Sequence, residues 1–508
     1  MLNSMDKENK QSLISLATSL MTMVLNICIG FFISPVIVRD LGVEANGYAQ
    51  LANNFVSYAS LLTIAINAMA GRFTTVAYHR GEKEKAQKYY TSALIGNIFV
   101  ILFLLLPAIL LIANLSKILT IQTTSVIDVQ ILFGLTFISF FCANIQNTLN
   151  IATTVKNKQY LSNAMIMAGS VVRILILVIL FNSFELHVYY VSLAAGIVSV
   201  LSILGYYGIK RTIMPDIVFE AKSFDMSAMK DMLTSGAWSV VNKCGDLLMT
   251  GFDLLLTNVL IGSIEMGILS VAKTIPTHLI TLASTLSWNW NPKMTKEYAN
   301  GDIPQMLSTI DLSAKVSMLL VTVPTMAFCV FAPYFYNLWM PTQDANLLSV
   351  LSILSVMAYT MLTGTASVFN LFTITNNLKL NSISYCIGAV ISILVSVLCV
   401  KYTSFGIYAV AGVSSIITII RNLIVMLPYA AKILGLKWFA FYKYVVINIG
   451  CSIIVAGISF AVRAVMPLSS WFDFFVACCV TGIISVLCLS LLVLKKEQRK
   501  ALLNRVIK

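Results

Sequence analysis

Lys243, Asp246 and Asp253 interrupt a stretch that is otherwise apolar. At about 100° per residue they share a stripe less than a quarter-turn wide on one helix face. A charge at the centre of a membrane helix costs about 2.5–3.5 kcal/mol on insertion scales, so this stripe must meet water, a partner charge or a substrate. Lys243 and Asp246 are three apart and equally suit a pair within the helix. The next apolar stretch carries Lys273, Pro276 and His278. Lys273 and Asp253 stand at similar distances from the intervening turn at Gly262, which suits an ion pair across two helices. Pro276 removes a helix N–H, which predicts a kink and a freed carbonyl in a cavity wall. His278 reads as a packed interior histidine. Lys243 and Lys273 are therefore candidate contacts for an anionic ligand. Asp246 and Asp253 are candidates for pairing, or for binding a coupling proton or sodium ion.

The first half of the chain has fewer intramembrane charges. Arg173 is its one clear mid-membrane cation, and it either faces a cavity or pairs elsewhere. Arg72, in Ala70-Gly71-Arg72-Phe73, either snorkels to the inner interface or recognises a phosphate at an inner mouth. Asn26, Asn53, Asn54 and Asn67 can line a cavity through hydrogen bonds or hold helices together. Arg39, Asp40 and Glu44 have the mix of signs for an outer gate. Arg421 reads as a snorkelling residue, and Trp288 and Trp290 as part of an inner aromatic belt.

Several chemistries lack their residues. No G-x-x-x-x-G-K-[ST] run is present to cradle a nucleotide. The three histidines, His79, His187 and His278, are scattered and form no H-E-x-x-H pattern, so no metal cofactor is expected. The ten cysteines fall inside apolar stretches and read as packing residues.

At 58% hydrophobic and 11% charged, the chain must be a membrane protein. Apolar runs of roughly 18–25 residues place spans near 12 to 38, 46 to 70, 90 to 116, 127 to 152, 161 to 182 and 188 to 209. A second set lies near 233 to 262, 264 to 290, 312 to 336, 346 to 374, 381 to 402 and 404 to 426, followed by 441 to 465 and 473 to 494. The expected fold is thus an all-α polytopic membrane protein of about fourteen transmembrane helices. With both termini cytoplasmic, most of the 34 Lys and Arg fall inside, among them Lys83, Lys85, Lys88, Lys210, Arg211, Lys495, Lys496, Arg499 and Lys500. The net charge of +13 is therefore a topology signal that suits anionic headgroups rather than nucleic acid. The N-terminal stretch reads as a retained first helix, without a cleavage site. The segment from Thr74 to Tyr90 reads as a helix on the inner surface.

The two halves are duplicated. Leu41-Gly42-Val43-Glu44-Ala45-Asn46-Gly47-Tyr48 returns about 220 positions later as Ile261-Gly262-Ser263-Ile264-Glu265-Met266-Gly267-Ile268. The same shift carries Tyr78-His79-Arg80-Gly81-Glu82 onto Tyr298-Ala299-Asn300-Gly301-Asp302, and Thr153 and Asn157 onto Thr373 and Asn377. It also pairs Asn26 with Asp246 and Asn53 with Lys273, so the second copy is charged where the first is neutral. Six helices per copy make the repeats parallel, a plan by which transporters build a substrate site. The expected organisation is an N-lobe at 1–211, a cytoplasmic linker at 212–232, a C-lobe at 233–431, and two further helices with a basic tail at 432–508.

Leu41-Gly42 with Gly47-Tyr48, the Arg72 segment running to Gly81-Glu82, and the partners Gly262, Gly267 and Gly301 resemble the polysaccharide transporters, or O-antigen flippases, of the MOP superfamily. That superfamily also contains the MATE exporters and lipid II flippases. The resemblance implies a V-shaped pair of MATE-like lobes in the bacterial cytoplasmic membrane. It implies a flippase, not an enzyme, that moves undecaprenyl-diphosphate-linked oligosaccharide to the outer leaflet by alternating access. The partners implied are that lipid, anionic headgroups and polysaccharide polymerase machinery. Lys243, Lys273, Arg173 and Arg72 would then meet the diphosphate, and Asn26 and Asn53 the sugars. One alternative is a MATE-like ion-coupled exporter of organic cations, which an acid-containing cavity and twelve helices would suit. Another is a membrane glycosyltransferase or polymerase, which would need a sizeable external loop with paired acids.

Overall fold

The computed structural model describes the backbone of residues 2–494, 496, 498 and 499, and the side chains of 14, 18, 21, 22, 24–494, 496, 498 and 499. Lys495 and Lys500 of the expected basic tail lie outside the described residues. The described chain is helical and contains no strand. Thirteen described helices are long and apolar enough to cross a membrane. The difference from the expected count falls at the seventh span, expected unbroken at 233 to 262. It is two helices, Met226–Thr250 and Asp253–Leu260, separated at Gly251 and Phe252. Lys243, Asp246 and the polar residues around them keep the longer piece less apolar than the other spans.

Apolar side chains left on the helix surfaces form stripes at helical spacing. Phe99, Leu102, Phe103, Leu106 and Leu110 line one side of Lys83–Ala113, and Ile383, Ile387, Val390, Leu394 and Leu398 one side of Leu378–Tyr402. Apolar surface this extensive needs lipid as its solvent. The chain is a multi-pass membrane protein.

It divides into two compact units, described separately. Unit 1 comprises Met1–Leu247 with Gly262–Gly267, and unit 2 comprises Leu248–Ile261 with Ile268–Lys508. In unit 1, Ala77, Ala86, Tyr90 and Ile151 form a core with Met214, Ile217, Met229 and Met232, so the polar connector is anchored by its own apolar residues. In unit 2 one core joins Met318, Leu362 and Phe372 to Tyr444, Cys451, Val455 and Leu489. The two C-terminal spans, Tyr442–Val465 and Trp471–Val493, thus share that unit's core.

The duplication is visible in the turns. Gly81 and Gly301 are both left-handed, with φ of 80° and 74°. In each turn the glycine N–H reaches a tyrosine carbonyl three residues back, Tyr78 or Tyr298, and the following acid's N–H reaches Ala77 or Glu297. Segment 74–90 is accordingly the ends of two long helices, Val43–His79 and Lys83–Ala113, joined at Gly81, and no separate surface helix forms. A second left-handed pair is Asn157 and Asn376, with φ of 51° and 56°. The structural mate of Asn157 is therefore Asn376, one residue before the one the sequence shift selects.

Candidate substrate and coupling site

In unit 2 the broken seventh span supplies two acceptors for one amine. Thr250 ends the first piece, and Asp253 opens the second, where a carboxylate suits a helix N-terminus. Lys273, from Ser263–Trp288, donates to Asp253 Oδ2 at 2.5 Å and to the Thr250 carbonyl at 3.0 Å. The side chains are 17% and 7% exposed. Lys273 therefore bolts the break to the neighbouring helix and neutralises a buried carboxylate. The pair across two helices that the sequence suggests is present.

Pro276 lies within the same helix. Its missing N–H is the one that would have reached the carbonyl of Ala272. That carbonyl instead accepts from Ser352 Oγ at 2.8 Å and Tyr336 Oη at 3.3 Å, and these two hydroxyls are 2.7 Å apart. All three residues are buried, so the freed carbonyl is taken up inside unit 2 and does not face a cavity, contrary to the sequence expectation.

The remaining charges of the seventh span lie in unit 1. Lys243 and Asp246 pair at 2.7 Å, with their side chains 44% and 37% exposed. Asn26 and Asn53 are exposed, and each amide donates to a carbonyl one turn back in its own helix, Thr22 at 3.0 Å and Ala49 at 2.8 Å. Arg72 is exposed on Val43–His79. Asn67 instead belongs to a polar cluster between helices, receiving Asn97 at 2.8 Å and donating to Asn144 at 3.3 Å. Arg173 lines a hollow of about 200 Å³ with Gln146, Ser199, Ser202 and Tyr206, and its Nε has no hydrogen-bond partner among the described residues.

Arg39 and Asp40 are bonded to each other, at 2.7 and 2.9 Å. Glu44 is buried at 1% exposure and accepts the backbone N–H groups of Gln122, Thr123 and Thr124 at 2.8, 2.6 and 2.9 Å. It pins the 122–124 loop within its own unit. His278 is half-buried, Trp288 is exposed, and Trp290 packs against the unit 2 core.

The sequence reading missed Arg421. It is buried at 8% exposure, bonded to Ser384, Asn381 and Asn422, and does not snorkel. Position near a helix end suggests an interface residue, and only the packing of Leu378–Tyr402 against it reveals otherwise. Among the described residues no group of three His, Cys, Asp or Glu is placed to hold a metal ion.

The chain is 25% identical over 497 residues, 97% of each protein, to the uncharacterized membrane protein EpsK of Bacillus subtilis (strain 168). Its fold matches a multidrug resistance MATE family transporter of the MOP superfamily in an inward-facing conformation, with TM-score 0.67, 14% identity, and coverage of 84% of this chain and 99% of that one. It also matches the lipid II flippase MurJ in an inward closed conformation, with TM-score 0.66, 13% identity, and coverage of 94% and 98%. Residues 14–289 match the family model described as polysaccharide biosynthesis protein, and the chain belongs to that family, with the fold of MOP-superfamily transporters.

Proposed function

We propose that the protein is a flippase for a lipid-linked oligosaccharide, carrying an undecaprenyl-diphosphate-linked glycan from the inner to the outer leaflet of a bacterial cytoplasmic membrane by alternating access. Membership of a polysaccharide biosynthesis family and the fold shared with a lipid II flippase support this reading. The observation that carries it is the Lys273–Asp253 pair across a broken helix. A diphosphate that engages Lys273 competes with Asp253 for the same amine. Asp253 would then be a buried anion without a partner, a state that costs about 3–5 kcal/mol. A proton or sodium ion removes that cost. Cargo and coupling ion thus favour each other's binding, and the driving force needs no nucleotide.

In this reading Lys243, Arg72 and Arg173 are further cations for the diphosphate, and Asn26 and Asn53 hydrogen-bond the sugars. Arg39 and Asp40 close the outer end, and Glu44, expected to act with them, instead holds the 122–124 loop in place. Both termini lie in the cytoplasm, 212–232 links two lobes, and the product passes to polysaccharide polymerase machinery. The test is leaflet translocation of lipid-linked oligosaccharide in proteoliposomes, for wild type, Lys273→Ala and Asp253→Ala. Loss of translocation in both variants is expected, and undiminished transport in both would remove the site assignment.

A second reading, a MATE-like ion-coupled exporter of small organic cations, is favoured by the buried carboxylate of Asp253 alone. Gradient-driven efflux of a cationic dye by wild type, with no movement of the lipid-linked glycan, would select it.

A further inference from the structure

Where Ser263–Trp288, Leu378–Tyr402 and Ile407–Arg421 converge, unit 2 holds a pocket of about 270 Å³. Its wall includes Arg421, Asn381, Tyr385, Asn370, Ser284 and Trp288. We propose that this pocket binds a phosphate-type oxyanion, with the Arg421 guanidinium as its recognition element.

The acceptors around Arg421 are all neutral: Ser384 Oγ at 3.1 Å from Nε, Asn422 Oδ1 at 3.0 Å from Nη1, and from Nη2 the Asn381 Oδ1 at 2.5 Å, the Asn381 carbonyl at 3.2 Å and Met426 Sδ at 3.5 Å. No carboxylate pairs with it among the described residues. These contacts orient the positive charge without cancelling it, and a buried charge is ordinarily paired. Among the described residues Nη1 donates to Asn422 alone, which leaves its second N–H for a ligand.

The guanidinium carbon also lies 4.1 Å from the centroid of the Tyr385 ring, a cation–π contact that helps to hold it in position. The helix then passes into a π-helical turn, Asn422–Met426, a form concentrated at functional positions. The protein's own acceptors hold the guanidinium in place and leave one charge-assisted N–H, on Nη1, for an oxyanion. Size agrees, since the volume is below the roughly 300–1,000 Å³ typical of drug-sized ligands.

The site goes beyond the transport reading and stands apart from Lys273. Its oxyanion could be a lipid headgroup or a soluble phosphate, and the test separates the two. Full-length protein in neutral detergent is titrated with labelled pyrophosphate, with chloride at matched ionic strength as control. Wild type is expected to bind saturably. Arg421→Gln is expected to weaken binding at least about tenfold, consistent with loss of the positive charge and its charge-assisted hydrogen bond. Because Arg421 also ties helices together, Ser284→Phe, an exposed wall position, is run beside it to fill the mouth while leaving the guanidinium in place. Displacement of bound pyrophosphate by short-chain phosphatidylglycerol added to the detergent solution would identify a headgroup as occupant, and displacement by inorganic phosphate alone a soluble phosphate. Absence of saturable binding to wild type, or equal binding by wild type and Ser284→Phe, overturns the proposal and leaves Arg421 a structural brace.

Discussion

Gly47 and Gly267, mates in the sequence repeat, pack backbone to backbone within unit 1. A Cβ on Gly47 would lie 2.9 Å from the Gly267 Cα, and a Cβ on Gly267 would lie 2.6 Å from the Val43 carbonyl carbon and closer still to its oxygen. Small residues permit this approach of two membrane helices. Gly267→Ala should therefore lower stability by about 1–3 kcal/mol, because the obstruction is backbone and cannot rotate away. Gly450→Ala, which meets no atom within 4 Å, should be close to neutral. Thermal unfolding in detergent compares the two, and equal melting temperatures would refute the contact.

The Lys273–Asp253 pair separates stability from transport. Lys273→Met leaves a buried carboxylate without its partner and should cost about 3–5 kcal/mol, whereas Lys273→Met with Asp253→Leu removes both charges and should recover most of the loss. Under the proposed function neither variant transports. A double variant as unstable as the single would mean that the pair does not neutralise Asp253.

Much of the fold was legible because lipid imposes a long apolar period and the turns reuse one chemistry. Gly81 and Gly301 announce matching left-handed turns since few residues other than glycine adopt that φ. The exception was the seventh span, where a break at Gly251 and Phe252 leaves the apolar pattern almost undisturbed. At the candidate site the Lys273–Asp253 pair followed from equal distances to a turn. The fate of the Ala272 carbonyl, the burial of Glu44 and the setting of Arg421 did not. Each depends on which helix faces which, and periodicity within one helix carries no such information.

Glu44 should act as the anchor of the 122–124 loop. Glu44→Gln keeps its shape but loses the charge that holds three backbone N–H groups. Hydrogen bonds to charged groups contribute about 1.5–3 kcal/mol, so amide exchange at Gln122, Thr123 and Thr124 should accelerate by at least about tenfold. Exchange confined to wild-type rates there would assign the loop's order to other contacts.

Pro276 and its two hydroxyl partners make a closed test of how a proline is tolerated in this membrane helix. Tyr336→Phe and Ser352→Ala each leave the Ala272 carbonyl one donor, so each should cost about 0.5–1.5 kcal/mol. The double variant leaves a buried carbonyl unpaired and should exceed the sum by about 1–3 kcal/mol. Adding Pro276→Ala supplies the missing helix N–H to that same carbonyl, so the triple variant should be more stable than the double. Additive losses without rescue by Pro276→Ala would show that Tyr336 and Ser352 are not replacing the missing helix bond.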